Sequence, residues 1–451
     1  MGRAAPRGTA SRREVAGYCL YDFANSSYTT LIVTVAYAIY FRQVVVGAGD
    51  PRGDLWWSLT QVAAYLVLIV SAPVFGALAD CSGRKKLFLL GTTIQTVVAC
   101  ALLSRVGAGD LGWAVGLYIA GTVGFEGGYV FYNAFLPEVS TPATAGRVSG
   151  WAWGLGFAGG LAALAACAPF LRGTLVDEQG QIVPETARGY STSFLLVALF
   201  FAIFAAPALA LLRERAATRP APASLTEYVR VGFTRVGDTL SGLSRQPEIA
   251  RFLVGAVFFY GGIEAVIKFS GIYATRTFGF TAGELTLLFV FANLVAIPGT
   301  LLAGYIADWV GPRPALIATL VGWVALLLFG AATTTRAGFW ALTGGVSIGV
   351  GATQAVARTF MARASPPHRI SEFFGFYLLA GKAGAILAFL IFGLVSAGTG
   401  SQRTAVLWLV PLFLAGLIGV LRASPSLEKT SKSRKEFPVP PRNDPSDDMR
   451  A

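Results

Sequence analysis

The chain has 451 residues, of which 54% are hydrophobic and only 13% charged, and its mean hydropathy is +0.61. Soluble proteins carry about 25% charged residues, so the composition is that of a membrane protein. The net charge of +12 does not point to nucleic acid, because no basic soluble domain exists to carry it.

Spanning a bilayer takes about 20 apolar residues in a helix. On that rule twelve segments are predicted: Ala16 to Phe41, Leu55 to Ala79, Leu87 to Ser104, Leu111 to Leu136, Val148 to Leu171, Ser191 to Leu212, Phe252 to Tyr273, Leu285 to Ala307, Ala315 to Ala332, Phe339 to Met361, Ser371 to Val395 and Ala405 to Leu421. With the N-terminus placed in the cytoplasm, most of the Lys and Arg fall on the cytoplasmic side, the positive-inside bias. Both termini are therefore expected to be cytoplasmic. The first apolar run is too long for a signal-peptide core and reads as a helix that stays. Cys19, Cys81, Cys100 and Cys167 are scattered without metal-ligand spacing and read as packing thiols.

The first helix is unusually polar for a span, with Asp22, Asn25 and Tyr28 recurring at helical spacing. Such a face either lines a cavity or bonds to neighbouring helices. Ionisable groups in spans are costly and usually face a cavity.

The second helix ends in a charged turn, Gly76-Ala-Leu-Ala-Asp80-Cys-Ser-Gly83-Arg84-Lys85-Lys86. Gly304-Tyr-Ile-Ala-Asp308-Trp-Val-Gly311-Pro-Arg313 repeats its Gly, Ala, Asp, Gly and basic positions at one constant offset. A charged turn duplicated between apolar runs implies two homologous halves. Glycine allows the close approach and the tight turn, and the basic residues anchor it at the cytoplasmic surface.

In the fourth helix Glu126 sits near mid-span among glycines, followed by Asn133. A buried carboxyl without a fixed partner suits proton exchange; the alternative is a protonated Glu bonding across helices. Gly146-Arg147-Val148-Ser149-Gly150 opens a glycine-rich fifth helix, and Arg369-Ile370-Ser371-Glu372 echoes it in the second half. Small residues at such spacings bring helix backbones together.

Within the long loop after helix six, Leu225, Val229, Phe233, Val236, Leu240 and Leu243 recur at helical spacing. That pattern predicts an amphipathic helix on the inner membrane face. Helix seven carries Glu264 and Lys268 four residues apart, the spacing of an ion pair. Helix ten ends in Gln354-Ala-Val-Ala-Arg358, where Arg358 suits a gate or anchor, and Lys382 lies mid-way along helix eleven. Lys382 has no carboxylate on its own helix to pair with, so its partner comes from another helix, water or a solute. The tail beyond Ala423 reads as disordered, with lysines suited to anionic lipid. The one histidine, His368, lies in a short loop without a catalytic constellation.

The turn at Gly76 to Lys86, with twelve spans and a weaker second copy, resembles the signature of the major facilitator superfamily. Cys81 stands where that signature usually has Arg, which shifts its charge network onto Arg84 or Lys85. Tyr21-Asp-Phe-Ala-Asn25-Ser, Phe131-Tyr-Asn133-Ala-Phe-Leu-Pro137, Gly146 to Gly150, Gln354 to Arg358 and Glu372-Phe-Phe-Gly-Phe-Tyr377 with Gly381-Lys382 resemble one branch. It includes the fungal autophagy-related vacuolar amino-acid effluxers and bacterial relatives. The chain departs from it at Phe23, usually Trp, and at Gly261-Gly262, usually Asn-Asp.

The resemblance implies an all-α integral membrane protein of twelve transmembrane helices in two pseudo-symmetric six-helix bundles. The expected organisation is a cytoplasmic tail (1–14), a bundle (15–212), a cytoplasmic linker (213–248), a second bundle (249–422) and a disordered tail (423–451). It implies a secondary active transporter, not an enzyme, moving a small polar or zwitterionic solute, with amino acids among the options. Proton coupling is left open. Candidate solute or proton residues are Asp22, Asn25, Tyr28, Glu126, Asn133, Glu264, Lys268, Arg358 and Lys382; a conformational latch is expected at Gly76, Asp80, Gly83, Arg84, Asp308, Arg313 and Glu372. No cofactor or metal is called for, the expected partners are a solute, protons and membrane lipids, and the chain is expected to be a monomer. Its Arg, Ala and Gly richness favours a bacterial inner membrane over a vacuole. A drug or metabolite efflux pump of the same superfamily, and a non-transporting receptor or scaffold of transporter descent, remain alternatives.

Overall fold

The computed structural model describes residues 10–50, 52–215 and 246–423, with scattered positions between them. The tails and most of the amphipathic stretch expected around Leu225 to Leu243 lie outside the described residues.

Twelve long helices run through the described residues. In the first half they are α1 (Arg12–Val45), α2 (Gly53–Ser82), α3 (Lys85–Leu103), α4 (Leu111–Ala134), α5 (Ala145–Cys167) and α6 (Pro184–Leu211). The second half adds α7 (Pro247–Phe278), α8 (Ala282–Val310), α9 (Pro312–Ala332), α10 (Arg336–Ala364), α11 (Ile370–Thr399) and α12 (Gln402–Arg422).

Local chemistry explains the ends. Ser11 and Glu14 form a reciprocal cap that starts α1 at Arg12, ahead of the expected start. Thr281 and Glu284 repeat the device at α8. Gly83, at φ 64°, lets α2 stop and α3 begin at Lys85. Inside α1 the backbone widens to π-helix over Tyr28–Val35 and again over Phe41–Val45.

Ten of the twelve helices are long and apolar enough to cross a membrane by length and composition alone. The others, α4 and α10, are long enough at 24 and 29 residues but less apolar. Glycines and polar residues such as Glu126, Asn133, Thr353 and Gln354 replace aliphatics there.

The two halves meet where α2 packs on α11 and α5 packs on α8. Glycine makes this approach possible: a Cβ built on Gly76 would stand 2.9 Å from Glu372 Cα, and one on Gly304 would stand 2.5 Å from the Gly146 carbonyl oxygen. Both contacts lie toward the face where α1 begins and α12 ends, called the terminal face below. Leucine, isoleucine and valine cover the outside, with Leu394 73% and Leu302 62% exposed. That is the expected surface of a protein solvated by lipid tails.

Candidate functional site

Between the bundles lies a cavity with about 610 Å³ of empty space, part of it open to solvent. Its charged walls are Glu126 on α4, Glu264 on α7, Arg358 on α10 and Lys382 on α11; Tyr129, Trp153, Tyr260, Phe374 and Tyr377 make them largely aromatic. Lys382 Nζ lies 2.5 Å from Glu126 Oε1, an ion pair linking the two bundles. The same ammonium stands 4.9 Å from the ring centre of Tyr65 on α2. Lys382 therefore draws its partner from another helix. Of the two readings left open for Glu126, a carboxyl without a fixed partner and one bonded across helices, the structure has the carboxyl partnered across helices, by an ammonium.

Glu264 was expected to pair with Lys268. Instead, Lys268 Nζ donates to Gln61 Oε1 at 3.1 Å, across to α2 and toward the face opposite the termini. Among the described residues, no ion pair or hydrogen bond engages the Glu264 side chain. Glu264 is partly buried and lines the cavity, whereas Lys268, one turn further along α7, is exposed and lies outside the cavity lining.

Below the cavity, on its terminal side, lies a second charge pair. Arg358 is 1% exposed, and its Nη1 donates to Asp22 Oδ2 at 3.0 Å and to Asn133 Oδ1 at 3.3 Å. Its Nε donates to Ser149 Oγ at 2.8 Å and its Nη2 to the Ser149 carbonyl at 2.7 Å. Tyr129 donates to Asp22 Oδ1 and Tyr132 to Oδ2, both at 3.2 Å. Every oxygen of Asp22 is engaged, and Arg358 belongs to the opposite bundle from all these partners. This is a lock that ties the halves together.

Asn25 and Tyr28 fall outside the cavity wall. Asn25 is 2% exposed, and the Tyr28 hydroxyl shares a 3.0 Å hydrogen bond with Thr122 while its ring stacks on Phe125. The shared spacing with Asp22 does not carry them to the solute space, because both side chains are buried against neighbouring helices and the backbone widens to π geometry from Tyr28.

The duplicated turns meet the opposite bundle in parallel ways. Asp80 Oδ2 accepts from the Glu372 N–H at 2.9 Å, at the N-terminus of α11. Asp308 accepts from the Gly146 and Arg147 N–H groups at 2.7 and 2.9 Å, at the N-terminus of α5. A carboxylate at a helix N-terminus meets unpaired N–H groups and the positive end of the dipole. Arg363 Nη2 reinforces Asp308 at 3.2 Å.

Arg84, expected to carry the latch, is exposed, and among the described residues its side chain forms no hydrogen bond or ion pair. Lys85, 3% exposed, is the buried basic residue, and it pairs with Glu138. Gly83 turns the chain between α2 and α3, and of the two residues that follow it Arg84 is exposed and Lys85 buried. From Glu138 the network runs on: its Oε2 accepts from the Arg215 N–H at 2.8 Å, and Arg215 Nη2 reaches Glu14 Oε1 at 2.8 Å. Beside it Glu214, its carboxyl pushed above the ordinary value by burial, accepts from the Lys86 N–H at 2.5 Å. Arg313, the counterpart of Lys85, does not cross to the other half. It donates to the Val420 and Leu421 carbonyls at the end of α12.

Tyr65, Tyr129, Tyr132, Ser149 and Gln61 do not belong to the candidate solute or latch set read from sequence. Tyr129 lies three residues beyond Glu126, a helical spacing that signals a shared face, and Tyr132 follows three residues further round the helix. Gln61 and Tyr65 lie in an otherwise apolar helix and carry no comparable signal. Among the described residues, no group of His, Cys, Asp and Glu could hold a metal ion.

A family model described as "Vacuole effluxer Atg22 like" matches residues 58–432. The chain is 25% identical over 428 residues to the uncharacterized MFS-type transporter YxiO of Bacillus subtilis (strain 168), covering 94% of this chain and 97% of that one. It is 28% identical over 351 residues to the probable nitrate/nitrite transporter NarK2 of Mycobacterium tuberculosis (H37Rv), covering 74% and 78%. Among solved structures, the major facilitator superfamily transporter FucP in the outward conformation superposes with a TM-score of 0.71 at 15% identity, covering 92% of this chain and all of that one. The human organic anion transporter MFSD10 gives 0.68 at 13% identity, covering 91% and 99%. At such identities the structures show the fold, two six-helix bundles of twelve spans. The relatives and the fold alike are those of transporters, not enzymes. Matched over most of its length by one family model, this multi-pass membrane chain belongs to the Vacuole effluxer Atg22 like family, within the major facilitator superfamily.

Proposed function

We propose that the protein is a secondary transporter that moves a small polar or zwitterionic solute, amino acids included, by alternating access, with Glu126 and Lys382 as its solute-exchangeable pair. The observation that carries this is the ion pair itself, 2.5 Å long, lining the cavity and joining the bundles. A zwitterion can replace both partners at once: its carboxylate meets Lys382 while its ammonium meets Glu126. A bound solute then loosens the bond between the halves, the differential interaction that a population shift requires. Asp22, Asn25 and Tyr28 leave the proposed solute set. Asp22 and Arg358, with Asn133, become a gate on the terminal side.

With the termini read as cytoplasmic from the positive-inside bias, the Asp22–Arg358 lock and both Asp latches close the cytoplasmic end. The conformation is then outward-facing. Residues 15–212 and 249–422 form the rocking bundles, and a bacterial inner membrane is the setting that composition favours. A small inorganic anion, as NarK2's name gives for that relative, fits this cavity poorly, because each basic side chain there is already matched by a carboxylate.

Proton coupling falls to Glu126 or Glu264. Uptake into proteoliposomes with an imposed pH gradient tests it: coupling predicts accumulation that follows the gradient, and flux indifferent to the gradient removes the coupling while leaving facilitated transport.

A further inference from the structure

Counting fixed charges in the cavity leaves one over. Asp22 is neutralised by Arg358 at 3.0 Å and Glu126 by Lys382 at 2.5 Å. Among the described residues, Glu264 has neither an ion pair nor a hydrogen bond from its side chain, and it lines the cavity. The groups that surround it electrostatically are Tyr65 on α2, Lys382 on α11, and Tyr260 and Lys268 on its own helix. The Lys382 ammonium is committed to Glu126, and the Lys268 ammonium reaches away to Gln61. The hydroxyls of Tyr260 and Tyr377 are bonded to each other. None of these neighbours supplies a dedicated counter-charge.

An uncompensated carboxylate within a membrane span is costly, so something positive must join it in each stable state. Within the cavity that can be a proton on the carboxyl or a cation from the solute. The lining of the cavity suits an organic cation, since Tyr260, Tyr377, Phe374 and Trp153 share it with Glu264 and aromatic rings attract ammonium and guanidinium groups. A neutral zwitterion seated on Glu126 and Lys382 leaves the sum at one negative charge.

We infer that Glu264 is a shared seat for a proton and for the cationic group of the solute, so that the cavity selects solutes of net charge +1, amines and guanidinium compounds with or without an added zwitterionic head. The inference rests on the proposed reading of this cavity as the solute site. Arrival of the cation expels the proton from the Glu264 carboxyl to the aqueous mouth. Departure of the cation lets a proton return. Exchange of one proton for one monocation then follows from the competition.

The test uses the purified full-length protein in lipid nanodiscs and four probes: phenethylamine and L-arginine (net +1), L-phenylalanine (net zero) and phenylacetate (net −1). Calorimetric titration in two buffers of different ionisation enthalpy reads affinity and proton release together. The expected result is that both monocations bind at least tenfold more tightly than L-phenylalanine, that phenylacetate does not bind, and that up to one proton leaves per monocation bound. Acidification should weaken monocation binding by up to tenfold per pH unit, the limit for one competing proton. Glu264→Gln should remove both the preference and the proton release. If that variant does not fold, proton release and pH dependence in the unaltered protein decide the question alone. Binding of L-phenylalanine as tight as that of the monocations, or binding without proton release at any pH, overturns the Glu264 inference while the transport reading stands. Binding of none of the four probes overturns the charge rule too, and the transport reading is then judged separately from the Lys382→Ala flux measurement that closes the Discussion.

Discussion

Arg358 Nη1 on α10 stands 3.0 Å from Asp22 Oδ2 on α1, and both residues are almost wholly buried. The two side chains come from different bundles, so the bond exists only while the terminal ends of those bundles are together. Removing one partner of such a buried pair leaves the other charge stranded, which costs about 3–5 kcal/mol, whereas replacing both with apolar groups of matching size is often neutral. Asp22→Asn and Arg358→Met should each lower the melting temperature in detergent. The double variant Asp22→Leu/Arg358→Met should recover much of the loss. Melting curves for the set check this, and a double variant as unstable as the sum of the singles contradicts the lock.

The close approach at Gly146 and Gly304 leaves no room for a side chain, since a Cβ on either would meet the other's backbone. Gly146→Val should therefore hold the bundles apart at the terminal face. Cysteines introduced along that seam should label faster with a membrane-impermeant thiol reagent, by about tenfold or more for a population shift of about 1.4 kcal/mol. Unchanged labelling with the protein folded contradicts closure there.

Two neighbouring basic residues should behave oppositely. Arg84 is exposed, and Arg84→Ala should fall within about 0.5 kcal/mol of wild type, as surface changes usually do. Lys85 is buried against Glu138, and Lys85→Ala should destabilise by about 3–5 kcal/mol because Glu138 is left unpaired. Unfolding midpoints of the two variants measure the contrast. A Lys85→Ala protein as stable as Arg84→Ala contradicts the buried network.

The fold was legible in the chain because two signals agreed: apolar runs of membrane-spanning length and a turn repeated at one constant offset. Helices α4 and α10 fall short of an apolar span because glycines and polar residues, Glu126 and Arg358 among them, take the place of aliphatics. Candidate residues were legible as types, since a charged side chain in a span is conspicuous. Their pairing was not. Nothing in the order of residues says that Lys382 meets Glu126, 256 positions away by subtraction, or that Lys268 turns to Gln61 rather than to Glu264. The spacing of four on α7 permits an ion pair in an isolated helix, but the bundle decides which way each side chain leans. Gly83 is a case of the same kind. Its left-handed backbone turns the chain there, and the run of basic residues does not say that Lys85 is buried and Arg84 exposed.

The Glu126–Lys382 pair is the point at which the account is most exposed. Uptake of radiolabelled amino acids and amines into proteoliposomes, compared between wild type and Lys382→Ala, tests it directly. Wild type should show saturable uptake of at least one solute, and Lys382→Ala should lose it a hundredfold or more, in keeping with about 2.7 kcal/mol or more of lost interaction. A Lys382→Ala protein that transports the same solute at the wild-type rate and affinity would contradict it.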